Sequence, residues 1–219
     1  MKKEIENFDV IIVGAGIAGI TTAYYLQKER PESSYLILES LDNYGGTWYT
    51  HKYPGIRSDS DLYTFGFKFK PWTSAPIATA DEILKYLGET IKENQIDEHI
   101  RYNHKIIEAE WSSKKKSWIL KAELSDTKKI IYFSCNFLMM CQGYFRHNEG
   151  YTPKWKDMDK FKGQIVHTEE WPENLDYKNK SIILIGSGAT AATTVPAMAS
   201  KANHVTMLQR SPTFYRTST

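Results

Sequence analysis

One local pattern occurs twice in this chain, and it constrains the fold more than any other feature. "DVIIVGAGIAG" (Asp9–Gly19) and "IILIGSGATAA" (Ile182–Ala192) each read as an apolar run, a glycine-rich turn and a helix start. A short β-branched apolar run is typical of a central strand in a parallel sheet. A second apolar run follows each helix: "YLILE" (Tyr35–Glu39) after the first, Val205–Gln209 after the second. Strand, helix, strand is a βαβ unit, so an α/β, Rossmann-like fold is predicted, built on two such units. This is a duplicated architecture and not a short-period solenoid repeat.

The rest of the chain hangs on these two units. Strand residues 8–13 lead to a helix over about Ile17–Arg30, which Pro31 stops. Residues 40–78 are rich in Gly, Pro and aromatics and read as a long loop, a length usually kept for function. "ADEILKYLGETIKENQ" places Ile83, Leu84, Leu87 and Ile91 on one helix face that turns to the core. "KIIEAEW", "SWILKAEL" and "KKIIYF", separated by polar turns, predict a small antiparallel three-stranded excursion. "FLMMCQG" (Phe137–Gly143) then reads as a separate buried strand, and a connector over about 144–180 leads to the second unit.

The two turns share a grammar but not an ending. In Gly14-Ala15-Gly16-Ile17-Ala18-Gly19, the first Gly permits the turn, the second admits a pyrophosphate, and the third lets helix and strand pack. The helix N-terminus then offers N–H groups and partial positive charge to phosphate. Glu39 ends the following strand, the position for an acid that binds the adenosine ribose hydroxyls. The second turn has Gly186, Gly188 and Ala191, and its following strand ends in Gln209-Arg210-Ser211. A carboxylate there would repel a 2′-phosphate, whereas a guanidinium binds it bidentately. The first turn therefore suits FAD or NAD, and the second suits NADP. One chain that takes both FAD and NADPH is a flavin reductase or a flavin monooxygenase.

Bulk properties exclude other classes. A net charge of +2 gives no electrostatic case for nucleic acid or a membrane surface. No apolar stretch is long enough to span a bilayer, and "MKKEIENF" lacks the apolar core of a signal peptide. Cys135 and Cys141 both lie in apolar surroundings and read as reduced core residues of a cytoplasmic protein. No metal-ligating set is expected.

Between the turns, "FKGQIVHTEEWP" (Phe161–Pro172) has the frame F-x-G-x-x-x-H-x-x-x-W-P. On residue type alone, His167 is a buried, satisfied histidine and Trp171 a packing residue. The frame closely resembles the fingerprint of the Baeyer–Villiger monooxygenases, within the class B flavin monooxygenases. "GGTWY" (Gly45–Tyr49) resembles that family's flavin-side segment, and "YPGIRSD" (Tyr53–Asp59) its loop with an Arg-x-Asp pair beside the isoalloxazine. "GSGATA" and "LQRSPT" are similar to its NADPH site. "YPGIRSDSDLYTFGFKFKPW" and "EGYTP" resemble the branch that includes ethionamide-activating monooxygenases.

The resemblance implies a mechanism and a set of contacts. NADPH reduces FAD, reduced flavin takes O₂ to a C4a-peroxyflavin, and a ketone, sulfur or nitrogen centre of a small-molecule substrate is oxidised. The flavin carries the hard chemistry, so no Ser or Cys nucleophile is needed. Arg57 and Asp59 are the implied catalytic pair, orienting the nicotinamide and tuning local charge. The implied FAD contacts are Gly14, Gly16, Ala18, Gly19 and Glu39, then Gly46, Thr47, Trp48, Tyr53 and Asp59. Ile106 would meet the adenine through its backbone, and Gly143 would approach the flavin. The implied NADPH contacts are Gly186, Ser187, Gly188, Ala189, Thr190, Ala191, Arg210 and Ser211. His167 would support the link between domains without acting as an acid or base. Gln142 departs from the family, which has a small residue or Ser/Thr before this Gly.

The expected organisation is an FAD-binding domain over 1–145, a linker with the fingerprint over 146–180, and the start of an NADPH domain over 181–219. A doubly wound domain needs about 150 residues, so the second is expected to be incomplete and the fold truncated. The arginine the family places over the flavin falls beyond residue 219. A homo-oligomer or a complementing C-terminal polypeptide would then cover the exposed sheet edge. Two other readings stay open: a nucleotide-binding fragment without turnover, and an N-hydroxylating or sulfur-oxidising flavin monooxygenase.

Overall fold

The computed structural model describes residues 4–146 and 149–215. The chain divides into two compact units, one of residues 1–49 with 81–145 and one of residues 50–80 with 146–219.

The first unit is a six-stranded mixed sheet in the order β3-β2-β1-β6-β5-β4. Its strands are β1 (Ile5–Val13), β2 (Tyr35–Leu38), β3 (Ile100–Arg101), β4 (His104–Ser112), β5 (Ser117–Leu124) and β6 (Ile130–Met140). The β3-β2-β1-β6 half is parallel, and β5 runs antiparallel to both β6 and β4. Helix α1 (Ile17–Glu29) connects β1 to β2, and the pair is in register from Val10↔Tyr35 to Val13↔Leu38. All four residues of β2 are buried, as are Ile11, Ile12 and Val13, which fits apolar runs at the centre of a parallel sheet. Helix α4 (Ala80–Glu93) buries Ile83, Leu87 and Ile91, as its spacing predicts, while Leu84 is half-buried.

One expectation is corrected. The third strand of the excursion and the strand that returns toward Gly143 are a single eleven-residue β6. It pairs antiparallel with β5 from Trp118↔Cys135 to Glu123↔Ile130, and parallel with β1 from Ile5↔Tyr132 to Val13↔Met140. The polar stretch Ser134-Cys135-Asn136 looks like a break but is absorbed by β1. The Ser134 hydroxyl donates to Asn7 Oδ1 at 2.5 Å, and Asn136 Nδ2 donates to Asp9 Oδ1 at 3.3 Å. The end of β6 is not buried: Phe137 is 67% exposed and Met140 55%. Cys135 is a core residue, but Cys141 is half-exposed, and both are free thiols.

The second unit contains a two-stranded parallel sheet, β7 (Ser181–Ile185) and β8 (His204–Leu208), joined by α5 (Ala189–Ala199). The register runs from Ser181↔His204 to Ile185↔Leu208. Both strands alternate exposed and half-buried, so Ile183, Ile185 and Leu208 face outward. Helices α2 (Thr47–Thr50) and α3 (Leu62–Phe65) are single turns within the stretch read as a loop. Asp61 caps α3 by accepting from the Thr64 N–H at 2.9 Å.

Among the described residues, no helix is long and apolar enough to cross a membrane, and no group of three His, Cys, Asp or Glu side chains could hold a metal ion.

Candidate functional site

At the first turn, two glycines are required by the protein itself. Gly14 has φ +103, and a Cβ there would lie 2.7 Å from the Cys141 carbonyl oxygen at the end of β6. A Cβ at Gly19 would run into the Gly14 carbonyl oxygen, because α1 lies directly on the turn. Gly16 is different. Its backbone is at φ −80, ψ −173, which any residue adopts, and the nearest atom to a Cβ is Gly46 Cα at 3.9 Å. Neither conformation nor packing requires glycine there. Gly16 is also the N-cap of α1, and no side chain caps that helix. Its leading N–H groups are available to an anion.

Glu39 braces this turn. It is 5% exposed, and Oε2 accepts from the Ala15 N–H at 2.6 Å. Oε1 accepts from the Leu41 N–H at 2.9 Å and the Ser40 hydroxyl at 3.2 Å. A carboxylate offers about four acceptor positions, so these three donors leave room for a ribose hydroxyl. The sequence pointed to the ribose role; the bond to the turn is an addition from the structure.

The Gly45–Gly46 pair borders the same turn. Gly45 N–H donates to the Ala15 carbonyl at 3.0 Å, and Gly46 approaches Gly16. Thr47 opens α2, and its neighbour Trp48 is half-buried there. Ala18 is exposed on the first turn of α1. Ile106 is half-buried at a register shift in β4 and packs on the core that contains Ile11, Leu36 and Phe133. Gly143 is exposed at φ +72, with no protein atom within 4 Å of a Cβ. A residue without a sequence motif joins this region. The Tyr102 phenol is pushed up to about 12, first by burial and then by Tyr44, Glu39 and Asp97.

The second turn repeats the geometry in sparser surroundings. Gly186 has φ +134, and its N–H donates to the Leu208 carbonyl at 3.0 Å. Gly188 is the N-cap of α5 at φ −82, ψ −170, with no side-chain cap and no atom within 4 Å of a Cβ. As at Gly16, the glycine is explained by neither backbone nor neighbours. Ala191 is buried where the first turn has Gly19, whereas Ala189 is exposed and Ser187 and Thr190 are half-buried. Arg210 and Ser211 follow β8 and are exposed, and no ion pair engages Arg210 among the described residues.

The Arg57–Asp59 loop belongs to this second unit. Residues 56–62 run beside 76–80: the Ser58 N–H donates to the Ala78 carbonyl at 2.9 Å, and the Ala80 N–H to the Ile56 carbonyl at 3.1 Å. In this extended segment Ser58 is buried while Arg57 and Asp59 are exposed, so the pair shares one outward face. No ion pair joins them among the described residues. Gly55 seats the loop on α5. At φ +76, a Cβ there would lie 2.8 Å from Ala197 Cβ and 3.2 Å from the Thr193 carbonyl oxygen. Half-buried Tyr53 has its phenol pushed up by burial, opposed by the Thr190 side chain and reinforced by Asp59. Sequence spacing does not reveal this docking, because some 140 residues separate the partners.

In the fingerprint, His167 Nδ1 accepts from the Glu169 N–H at 3.2 Å and caps a short 3₁₀ turn at 168–170. Its half-buried ring lies on buried Gly150, whose N–H donates to Glu170 Oε1 at 2.8 Å. Trp171 packs edge-on to Tyr177, with 6.3 Å between ring centroids.

The sequence model of a flavin-binding monooxygenase-like family matches residues 74–216, and that of an NAD(P)-binding Rossmann-like domain matches residues 12–75. The FAD-containing monooxygenase EthA of Mycolicibacterium smegmatis is 52% identical over 211 residues, which is 95% of this chain and 42% of the relative. A solved structure titled oxidized steroid monooxygenase bound to NADP superposes with a TM-score of 0.79 at 28% identity, over 95% of this chain and 40% of that one. A structure of OTEMO in complex with FAD and NADP gives 0.77 at 27% identity, over 94% and 39%. The chain thus spans about two-fifths of the length of the relatives it matches.

Proposed function

The chain belongs to the flavin-binding monooxygenase-like family, and from that premise we propose that it carries FAD- and NADPH-binding residues of a Baeyer–Villiger-type monooxygenase. The reaction inserts one atom of O₂ into a ketone, or adds it to a sulfur or nitrogen centre of a small molecule. Two electrons from NADPH take the other oxygen atom to water. Residues 1–145 are assigned to FAD, 146–180 to the fingerprint connector, and 181–219 to NADPH. The two free cysteines suit a reducing compartment, and the proposed setting is the cytoplasm.

One observation carries this reading. Gly16 and Gly188 each head an uncapped helix, and each leaves open a space that neither the backbone nor a neighbouring atom explains. A pyrophosphate fits both needs, since it requires close backbone approach and N–H donors. The endings divide the two nucleotides. Glu39 holds the first turn in shape and keeps one acceptor position for a ribose hydroxyl. Arg210 is exposed at the end of β8 with no ion-pair partner among the described residues, and is assigned to a 2′-phosphate.

Bound flavin would supply the redox chemistry, with acceptance of hydride from NADPH and activation of O₂. The protein's own residues bind and orient. Arg57 and Asp59 are assigned to the nicotinamide, because their loop is seated on the helix that the second turn opens. Within the first unit Trp48 is assigned as an aromatic wall for the flavin, and the Gly143 backbone is bare enough for a flat cofactor to approach.

The test is an anaerobic stopped-flow trace of the purified chain, reconstituted with FAD and mixed with NADPH. Bleaching of the oxidised-flavin band supports the reading. Protein that retains FAD and never bleaches with NADPH refutes the assignment of the second turn.

A further inference from the structure

Ser187 stands in the middle of the second turn, and two side chains from beyond Arg210 return to it. The Thr213 hydroxyl donates to Ser187 Oγ at 2.6 Å, and the Tyr215 phenol donates to the Ser187 carbonyl oxygen at 3.1 Å. The phenol oxygen also lies 3.8 Å from Met207 Sδ on β8, which fixes the tyrosine against the sheet. Gly186 and Gly188 flank Ser187 and have no side chains to restrain them, so this peptide pair has the most freedom to lose on ordering. Ser187 offers only two polar handles besides its N–H, its hydroxyl and its carbonyl, and both are held.

We propose that Tyr215, acting with Thr213, is a positioning residue that holds the Gly186–Ser187–Gly188 backbone in the shape that receives a nucleotide pyrophosphate. The inference rests on the reading of this turn as the NADPH site. A trans peptide points its carbonyl and the next N–H in opposite directions. Pinning the Ser187 carbonyl to Tyr215 therefore turns the Gly188 N–H to the other side, and the Cβ position of Gly188 is open. A hydroxyl has one proton and two acceptor positions. Because Thr213 fills an acceptor position of Ser187, the serine proton is left to donate elsewhere, and a phosphate oxygen is an acceptor only. Neither residue needs to touch the nucleotide for this effect.

Isothermal titration of the purified chain with NADP⁺ and with NAD⁺ tests the proposal. Loss of one neutral hydrogen bond corresponds to about fivefold weaker binding. Tyr215→Phe is expected to weaken both nucleotides by about that factor, because the pyrophosphate is common to them. Thr213→Val should do the same, and Thr213→Ser should restore binding. Arg210→Ala provides the contrast, weakening NADP⁺ alone. Tyr215 is 53% exposed, so the unfolding midpoint of Tyr215→Phe should match wild type. If that midpoint falls, the Thr213→Val and Thr213→Ser pair decides. Wild-type affinities in both Tyr215→Phe and Thr213→Val overturn the positioning role alone. A wild-type chain that binds neither nucleotide overturns the reading of the turn as well.

Discussion

The two glycine turns obey one sequence rule but are built differently. The first is assembled by the protein: Gly14 is pressed against the end of β6, Gly19 against Gly14, and Ala15 is held through its N–H by Glu39 and through its carbonyl by Gly45. The second stands at the end of a two-stranded sheet whose outer residues are exposed, and its shape depends on hydrogen bonds from Thr213 and Tyr215. A GxGxx(G/A) pattern thus specifies where a phosphate can approach, but not how firmly the turn is made. Firmness comes from residues distant in sequence. The first turn is part of the folding core, whereas the second is packed against few protein atoms.

The sharpest way to break this comparison is to put the same methyl group into each turn. Gly19→Ala drives a Cβ into the Gly14 carbonyl and should cost about 2 kcal/mol or more, read as a lower denaturant midpoint. Gly188→Ala meets no protein atom and gives up only the N-cap preference for glycine over alanine, so it should cost no more than about 1 kcal/mol while weakening NADP⁺. Equal stability losses at the two positions would end the distinction.

Glu39→Ala gives the next effect. It strands the Ala15 N–H in a buried place, at a cost of about 1–3 kcal/mol, and should strip FAD from purified protein. Unchanged flavin content, measured by absorbance after denaturation, would remove Glu39 from the site.

Cys135 probes the core behind the first turn through pH. Burial pushes its thiol from 9.0 up to about 11, so the folded state keeps a proton that the unfolded chain releases. Stability is full below pH 9 and falls by about 2–3 kcal/mol as pH rises to about 11. A Cys135→Ala variant should lose that part of the slope. Iodoacetamide at pH 8 should label half-exposed Cys141 well before Cys135, read by peptide mass spectrometry.

The smallest effect is one of selectivity. Arg210→Ala should reduce NADP⁺ affinity about tenfold with little change in NAD⁺, which sharpens the contrast between an acid ending and a basic one.

What the sequence made legible follows the range of the forces involved. The runs from β1 through α1 to β2 were readable because strand, turn and helix are decided within some thirty residues, and α4 because its apolar period is local. The continuity of β6 was not, since the pairing that carries Ser134 and Asn136 through the sheet comes from Asn7 and Asp9, 127 positions away. The seating of Gly55 on α5, the bond from Glu39 to the first turn and the presence of Tyr102 near Glu39 escaped for the same reason. Each depends on packing between distant segments, and no single residue type or spacing announces it.

In the proposed reading the two turns hold different nucleotides. Its most direct test is binding of FAD and NADP⁺, measured separately on wild type, Gly16→Val and Gly188→Val. Gly16→Val is expected to lose FAD and keep NADP⁺, Gly188→Val to do the reverse, and the two nucleotides not to compete on wild type. Loss of both nucleotides from either variant, or competition between them for one site, would contradict it.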